Sequence, residues 1–277
     1  MKYQETLSQI SRCKKIFETE LEKRLNIIKV PNPLFVRSDS GLQDNLSGSE
    51  KAVSFYKNDE KFEVVHSLAK WKRVALGKYG FKMHTGLYVN MKAIRKEETV
   101  DELHSLYVEQ WDFEKVISKE DRNLKYLKKT ANEVYAAFKA TAKKLNNTTL
   151  DLPDKLFFID SQELEDLNPK YNSKKREDLI TREKKAVFVI GIGDKLKSGK
   201  AHDLRSPDYD DWKMNGDILI FDPTLNETVE ISSMGIRVDE NSIKEQLRKA
   251  RQLHKLDLPY HKQIINKELP YISFFKK

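Results

Sequence analysis

The chain has 277 residues, 39% hydrophobic and 34% charged, with Lys+Arg 51 against Asp+Glu 43 and a formal net charge of +8. Such a composition belongs to a soluble globular protein and not to a disordered one. No apolar run nears the ~18–20 residues of a membrane span and the N-terminus lacks a signal-peptide core, so a cytoplasmic protein is expected. The single cysteine, Cys13, excludes an internal disulfide and a cysteine-based zinc site.

Leu7, Ile10, Phe17, Leu21 and Leu25 recur at helical spacing and predict a helix from Tyr3 to Leu25, with Cys13 close to the stripe and therefore buried. "NIIKVPNPLFV" reads as a strand broken by Pro31 and Pro33, which suits a sheet edge or an interface. "FEVVHSLA", "GLYVNMKAI" and "HSLYVEQWDF" are strand-like, and "DRNLKYLKKTANEVYAAFKATAKKL" is a long amphipathic helix. "NSKKREDLITREKK" mixes both signs as a solvated helix face does, and no stacking aromatics interleave with it. The basic excess therefore reads as surface, without a nucleic-acid groove. "KLFFID", "KAVFVIGIG", "GDILIF" and "VEISSMGI" are further strands. Because helices and strands do not alternate in strict units, we expect an α+β fold: an antiparallel sheet flanked by helices, in one domain over residues 1–277.

Five aspartates crowd into "RSPDYDDWKMNGDILIFDP", Arg205 to Pro223. "DPTLN" is turn chemistry between two strands, so a hairpin is expected. A turn centred near Pro223 and Thr224 would set Asp217 opposite Glu230. Like charges facing each other on paired strands cost a few tenths to about 1 kcal/mol, so a cation should lie between them. Magnesium suits two carboxylates plus substrate phosphates. Two solvated acids on an edge hairpin would weigh equally if the pair stood alone, but Ser233 and Arg237 follow closely.

Several stretches then carry a family resemblance: "LQDNLSGSEKAV", "FEVVHSLAKWKR", "LYVNMKAIR", "HSLYVEQWDFE", "DLRSPDYDDW", "NGDILIF" and "EISSMGIRVD". In order, and from the first helix to about Pro270, they resemble the ammonia-dependent asparagine synthetases, or aspartate–ammonia ligases. The resemblance implies a fold similar to the class II aminoacyl-tRNA synthetase core, usually a homodimer. It also implies a reaction joining aspartate and ammonia through an acyl-adenylate, with ATP going to AMP and pyrophosphate. Rival readings are a synthetase relative transferring its acyl group to tRNA, for which an anticodon-binding domain has no room, and a non-catalytic paralogue binding aspartate or nucleotide.

The same resemblance assigns roles. Arg95 matches a phosphate-contacting arginine, and Lys72 a lysine that meets the substrate carboxylate, with Lys70 and Arg73 extending that positive surface. Asp44, Ser67 and Gln110 line the amino-acid pocket, where Asp44 holds the α-ammonium. Asp217, Glu230 and Ser233 hold magnesium on ATP, Ser233 also lines the substrate site and Arg237 lies with the nucleotide. Asp112 and Asp210 stand near the reacting carbon and gather ammonium, while Asp208 and Asp211 are structural. Relatives carry a longer loop where only Lys213 and Met214 separate Trp212 from Asn215. After Leu269 and Pro270 relatives continue into a glycine-rich strand, an arginine and a helix, where this sequence reads "YISFFKK". The expectation is a sheet strand left unpaired, poor solubility and one cation fewer on the nucleotide.

Overall fold

The computed structural model describes residues 2–44, 50–100 and 105–276. Residues 45–49 of the first resembling motif and His104 of another lie outside them. Helix α1 (Tyr3–Leu25) leads into the short β1 (Ile27–Lys29) and β2 (Phe35–Arg37). Then come β3 (Ser54–Lys57), β4 (Glu60–Val64), α2 (Ala69–Lys78), β5 (Gly86–Ile94), β6 (Tyr107–Ile117) and α3 (Leu124–Lys144). After β7 (Phe157–Asp160) follow α4 (Ser161–Leu167), α5 (Ser173–Lys184), β8 (Ala186–Ile190), β9 (Asp210–Asp222) and β10 (Glu227–Arg237). The last elements are α6 (Ser242–Lys249), α7 (Pro259–Ile265) and β11 (Tyr271–Lys276).

Eight strands form one sheet in the order β1-β5-β6-β11-β10-β9-β8-β7, and β2-β4-β3 form a small second one. The centre of the large sheet is antiparallel; only β1 on β5 and β7 on β8, at its two ends, are parallel. The proline-interrupted segment thus supplies β1 at an edge, as its composition predicts, because proline cannot donate to an interior ladder. β11 was not expected. It pairs on one side with β6 and on the other with β10, so the anticipated unpaired strand does not occur at this place. "YISFF" supplies the β-branched and aromatic side chains that a central strand buries.

Strand alternation divides the sheet into two faces. One row of partners reads Tyr88, Phe113, Phe275, Met234 and Gly216 across five strands. Its side chains join Phe17, Leu21 and Leu25 of α1 and Leu127, Ala131 and Val134 of α3 in the largest core cluster. Full burial of each large apolar side chain contributes roughly 1.5–3 kcal/mol. Asn123 caps α3 by accepting a hydrogen bond from the Tyr126 backbone N–H at 2.9 Å.

Departures from the sequence reading have local causes. Leu7 and Ile10 of the α1 stripe are exposed, since the core ends near Phe17. Cys13 is correspondingly half-exposed, although partial burial still pushes its thiol up. "FEVVHSLA" is a strand only to Val64; Leu68, Ala75 and Leu76 fall on one side of α2 and pack on Leu87 and Val89. "NSKKREDLITREKK" is a helix laced on its outer side by Lys175–Asp178 and Arg182–Asp178 pairs, but Arg176 and Glu177 are buried, which departs from the expected solvated face. No helix among the described residues is long and apolar enough to cross a membrane.

Candidate active site

One residue along from the apolar row, the opposite face changes character. Its row reads Val89, Asp112, Lys276, Ser233, Asp217 and Val189, each residue paired with the next on the neighbouring strand. Both ends are apolar and covered: Val89 by α2, Val189 by Leu164 of α4 and Ile180 of α5. The middle carries the chemistry. A second row reads Leu87, Glu114, Phe274, Gly235 and Asn215, and Gln110 sits two residues before Asp112 on the same face of β6.

The centre is a buried charge network. Lys72 of α2 donates to Asp112 Oδ1 and lies 3.3 Å from Glu114 Oε1. Arg237 donates through Nε to Glu114 at 3.0 Å, and another guanidinium nitrogen reaches Asp210. All five side chains are at most 1% exposed. Two cations are therefore shared by three carboxylates. Arg237 is raised because Glu114 and Asp210 outweigh the burial that would lower it, whereas burial pushes the Asp210 carboxyl up against the opposing pull of Arg237. Arg237 reaches Asp210 because of an irregular register: Gly235 pairs with Asn215 but Arg237 with Asp210, so residues 211–214 bulge from β9.

The α2 cations do not form a positive surface, which corrects the expectation for Lys70 and Arg73. Lys70 is 5% and Arg73 1% exposed. Lys70 is 2.9 Å from Asp208, and Arg73 donates to the carbonyls of Pro270 and Val238 at 3.0 and 2.8 Å. Asp208 also meets Ser206 and His261, at 2.5 and 3.0 Å, and Asp211 meets Arg122 at 2.9 Å.

The hairpin requires a second correction. Asp222 pairs with Glu227, and its side chain accepts from the Thr224 backbone N–H at 2.7 Å, so the turn centres one residue later than expected. Asp217 faces Ser233 and Glu230 faces Leu219. A bulge between Glu230 and Ser232 shifts the alternation by one, which puts Glu230, Ser233 and Asp217 on one face although 230 and 233 differ by an odd number. The two acids are thus diagonal neighbours. The cation beside them is Arg205, whose guanidinium contacts both Asp217 oxygens. Burial and the Glu230 charge push the Asp217 carboxyl up to about 6 despite Arg205. His202, 2.8 Å from Glu177, anchors the loop that brings Arg205 in.

Beyond Gln110 lies a third region. Asp44 and Ser67 are buried, and Arg95 follows the end of β5 beside His66 and Glu50 around a small cavity of about 90 Å³. Among the described residues, Asp112 Oδ2, Asp210 Oδ2, Gln110 Oε1 and Arg95 Nε are buried without a hydrogen-bond partner. Buried polar groups are normally satisfied, so these three acceptors and one donor are unusual for a protein interior. Sequence reasoning missed Glu114, His66 and Tyr209. Glu114 was detectable, because Gln110, Asp112 and Glu114 alternate along one strand. His66 is buried with its pKa lowered by that burial, and nothing in its sequence context marks it. Tyr209, whose ring lies 5.1 Å from the Arg237 guanidinium, sits unmarked inside the acidic run.

A sequence profile described as aspartate-ammonia ligase, AsnA, matches residues 4–273. The chain is 50% identical over 274 residues to the aspartate–ammonia ligase of Clostridium tetani, covering 96% of this chain and 80% of that one. Identity to the aspartate–ammonia ligase of Ligilactobacillus salivarius is 53% over 275 residues, covering 96% and 82%. Among solved structures, asparaginyl-tRNA synthetase of Entamoeba histolytica is similar with a TM-score of 0.65 at 13% identity, over 99% of this chain and 62% of that one. The Pyrococcus horikoshii asparaginyl-tRNA synthetase complexed with asparaginyl-adenylate gives 0.63 at 14%, over 96% and 63%. At such identity the likeness shows the fold, a class II synthetase core, and the chain spans just under two thirds of those synthetases.

Proposed function

This chain belongs to the aspartate–ammonia ligase family, and on that premise we propose that it makes asparagine from aspartate, ammonia and ATP. The side-chain carboxylate of aspartate attacks the α-phosphorus, pyrophosphate leaves, and a mixed anhydride forms. Ammonia then attacks the acyl carbon, gives up a proton, and AMP departs.

The observation that carries this reading is the shared face, on which unsatisfied acceptors of Gln110, Asp112 and Asp210 adjoin the acids of the hairpin. Asp44, Ser67 and Gln110 bind the amino acid, and Arg95 offers a planar fork to phosphate. Lys72 acts through Asp112 and Glu114 instead of meeting the substrate directly. Ammonia at neutral pH is mostly ammonium, so a carboxylate must gather it and accept its proton. Asp210, raised by burial, is the better acceptor, and Asp112 the orienting partner. Arg237 holds both Glu114 and Asp210 at the nucleotide side.

Asp217, Glu230 and Ser233 fit magnesium by the chemistry of their donors, two carboxylates and a hydroxyl on one face. Among the described residues no cluster of three His, Cys, Asp or Glu could hold a metal unaided. An ion held there would take its remaining oxygens from substrate phosphates. When bound, magnesium neutralises phosphate charge. A cytoplasmic location and a homodimer are part of this proposal, the homodimer supported by the exposed Leu7 and Ile10 of α1 and Ile28 of edge strand β1.

Pyrophosphate release measured with aspartate, with or without ammonium and tRNA, tests the reading. Net asparagine formation should need ammonium and ignore tRNA; release that needs tRNA would overturn it. Glutamine should not replace ammonium, because half-exposed Cys13 on α1, its thiol pushed up, has no histidine near it in sequence.

A further inference from the structure

Lys276 of β11 stands in the middle of the polar row, opposite Asp112 on one side and Ser233 on the other. We infer that it binds a phosphate of the nucleotide, an assignment that rests on the ligase reading above. The position is built, not incidental: β11 is hydrogen-bonded along both edges. Phe274, two residues earlier on the same face, packs its ring 3.5 Å from the Arg237 guanidinium. The Lys276 side chain is half-buried, with its ammonium 5.8 Å from the Tyr209 ring.

Charge pairing singles this residue out. Lys72 is committed to Asp112 and Glu114, Arg237 to Glu114 and Asp210, and Arg205 to Asp217. Lys276 makes no ion pair among the described residues, although Asp112 is its cross-strand neighbour and Asp210 feels its charge. A half-buried ammonium beside carboxylates whose Oδ1 atoms already hold Lys72 and Arg237 makes no ion pair of its own among the described residues, and a flexible stem ending in a compact charge suits a phosphate. Its row decides which anion: Ser233 and Asp217 lie toward the proposed magnesium, Asp112 toward the acyl carbon. The α-phosphate must lie between those two. Sequence reasoning expected one cation fewer on the nucleotide; β11 brings one to the centre of the sheet.

The test uses the whole chain, with ATP titrated in the presence of magnesium and aspartate-dependent pyrophosphate release measured beside it. Lys276→Met should weaken ATP binding by roughly ten- to a hundredfold, the range of a charge-assisted hydrogen bond. The half-saturating aspartate concentration and the melting temperature should hardly move, and Lys276→Arg should recover most of the affinity. Equal ATP binding by wild type and Lys276→Met would overturn the inference while leaving the ligase reading intact. So would a Met variant that saturates at lower ammonium, because Lys276 would then occupy the ammonium's place. A wild-type chain that binds ATP but forms no asparagine would instead count against the ligase reading.

Discussion

The polar face holds two acidic groups that differ in where their counter-charge comes from. At the centre, Asp112, Glu114 and Asp210 share Lys72 and Arg237, side chains borne by α2 and β10 and at most 1% exposed. At the hairpin, Asp217 is matched by Arg205 from the loop before β9, a loop held by the His202 to Glu177 contact. Cations fixed on packed elements make a frame, since they cannot leave without exposing buried acids. A cation on a loop can yield to a ligand of the same sign. In the proposed function the centre therefore shapes the site, and the hairpin would exchange Arg205 for magnesium.

The most damaging way to break this comparison is to open the frame. Arg237→Met leaves Glu114 and Asp210 buried with Lys72 as the remaining cation of the network. Removing one partner of a buried ion pair costs about 3–5 kcal/mol, so urea unfolding should show a loss of that order, with activity falling as the site loosens. A loss below ~1 kcal/mol would mean that the network is dispensable to the fold.

Glu230→Gln asks the same question at the hairpin and should have the opposite signature. Asparagine formation should drop about a hundredfold, equivalent to ~2.7 kcal/mol of lost stabilisation, and half-maximal rate should need more magnesium. Stability in EDTA should stay within ~1 kcal/mol of wild type, or rise slightly, because one of two neighbouring like charges is gone. A large fall in the melting temperature in EDTA would make Glu230 part of the frame instead.

Asp208→Asn tests whether a loop acid can belong to the frame. Burial would raise the Asp208 carboxyl, but Lys70, His261 and Lys255 hold it well below the usual range. A carboxyl depressed by folding stabilises fully above its unfolded value of about 3.9 and loses that contribution as pH falls toward its native value. The variant should therefore lose about 2 kcal/mol at neutral pH, and the gap should narrow below about pH 3.9. A gap that persists undiminished in acid would assign the loss to packing.

How much of this was legible in sequence follows from the range of each interaction. Periodicity found α1, α3 and the long strands because their apolar patterns repeat over many residues. It missed α2, where "AKWKRVALGK" buries Lys70, Lys72 and Arg73 among apolar side chains, so that charge masks the inward side. Asp217 and Glu230 were singled out by the expected hairpin, and Asp44, Asp112 and Asp210 through the family resemblance. Their pairing was not, since Lys72 to Asp112 and Arg237 to Glu114 span 40 and 123 residues. The hairpin partners were misassigned because the turn centres one residue later than its composition suggests, which sets Glu230 opposite Leu219, and the bulge after Glu230 then sets Asp217 opposite Ser233. β11 lay beyond reach for a related reason: six residues of sheet-forming composition do not announce that they will sit between β6 and β10.

The smallest expected effect concerns protons and metal at Asp217. Its carboxyl, pushed up to about 6 by burial and by Glu230, is ionised at neutral pH and gains a proton as the medium is acidified. Only the ionised form can hold magnesium, so a proton and the metal compete for it. With ATP well below saturation, the rate should fall through an acid limb near pH 6, by a few-fold for the first half-unit below it. Raising free magnesium must shift that limb to lower pH, since the metal favours the charged carboxylate. Asp217→Asn should remove the shift along with most of the activity. The competition is specific to the hairpin, because no metal is proposed at Asp112, Glu114 or Asp210. Rates measured from pH 5 to 8 at two magnesium concentrations decide the matter. A limb that stays in place at both would detach Asp217 from the metal and place it with the frame.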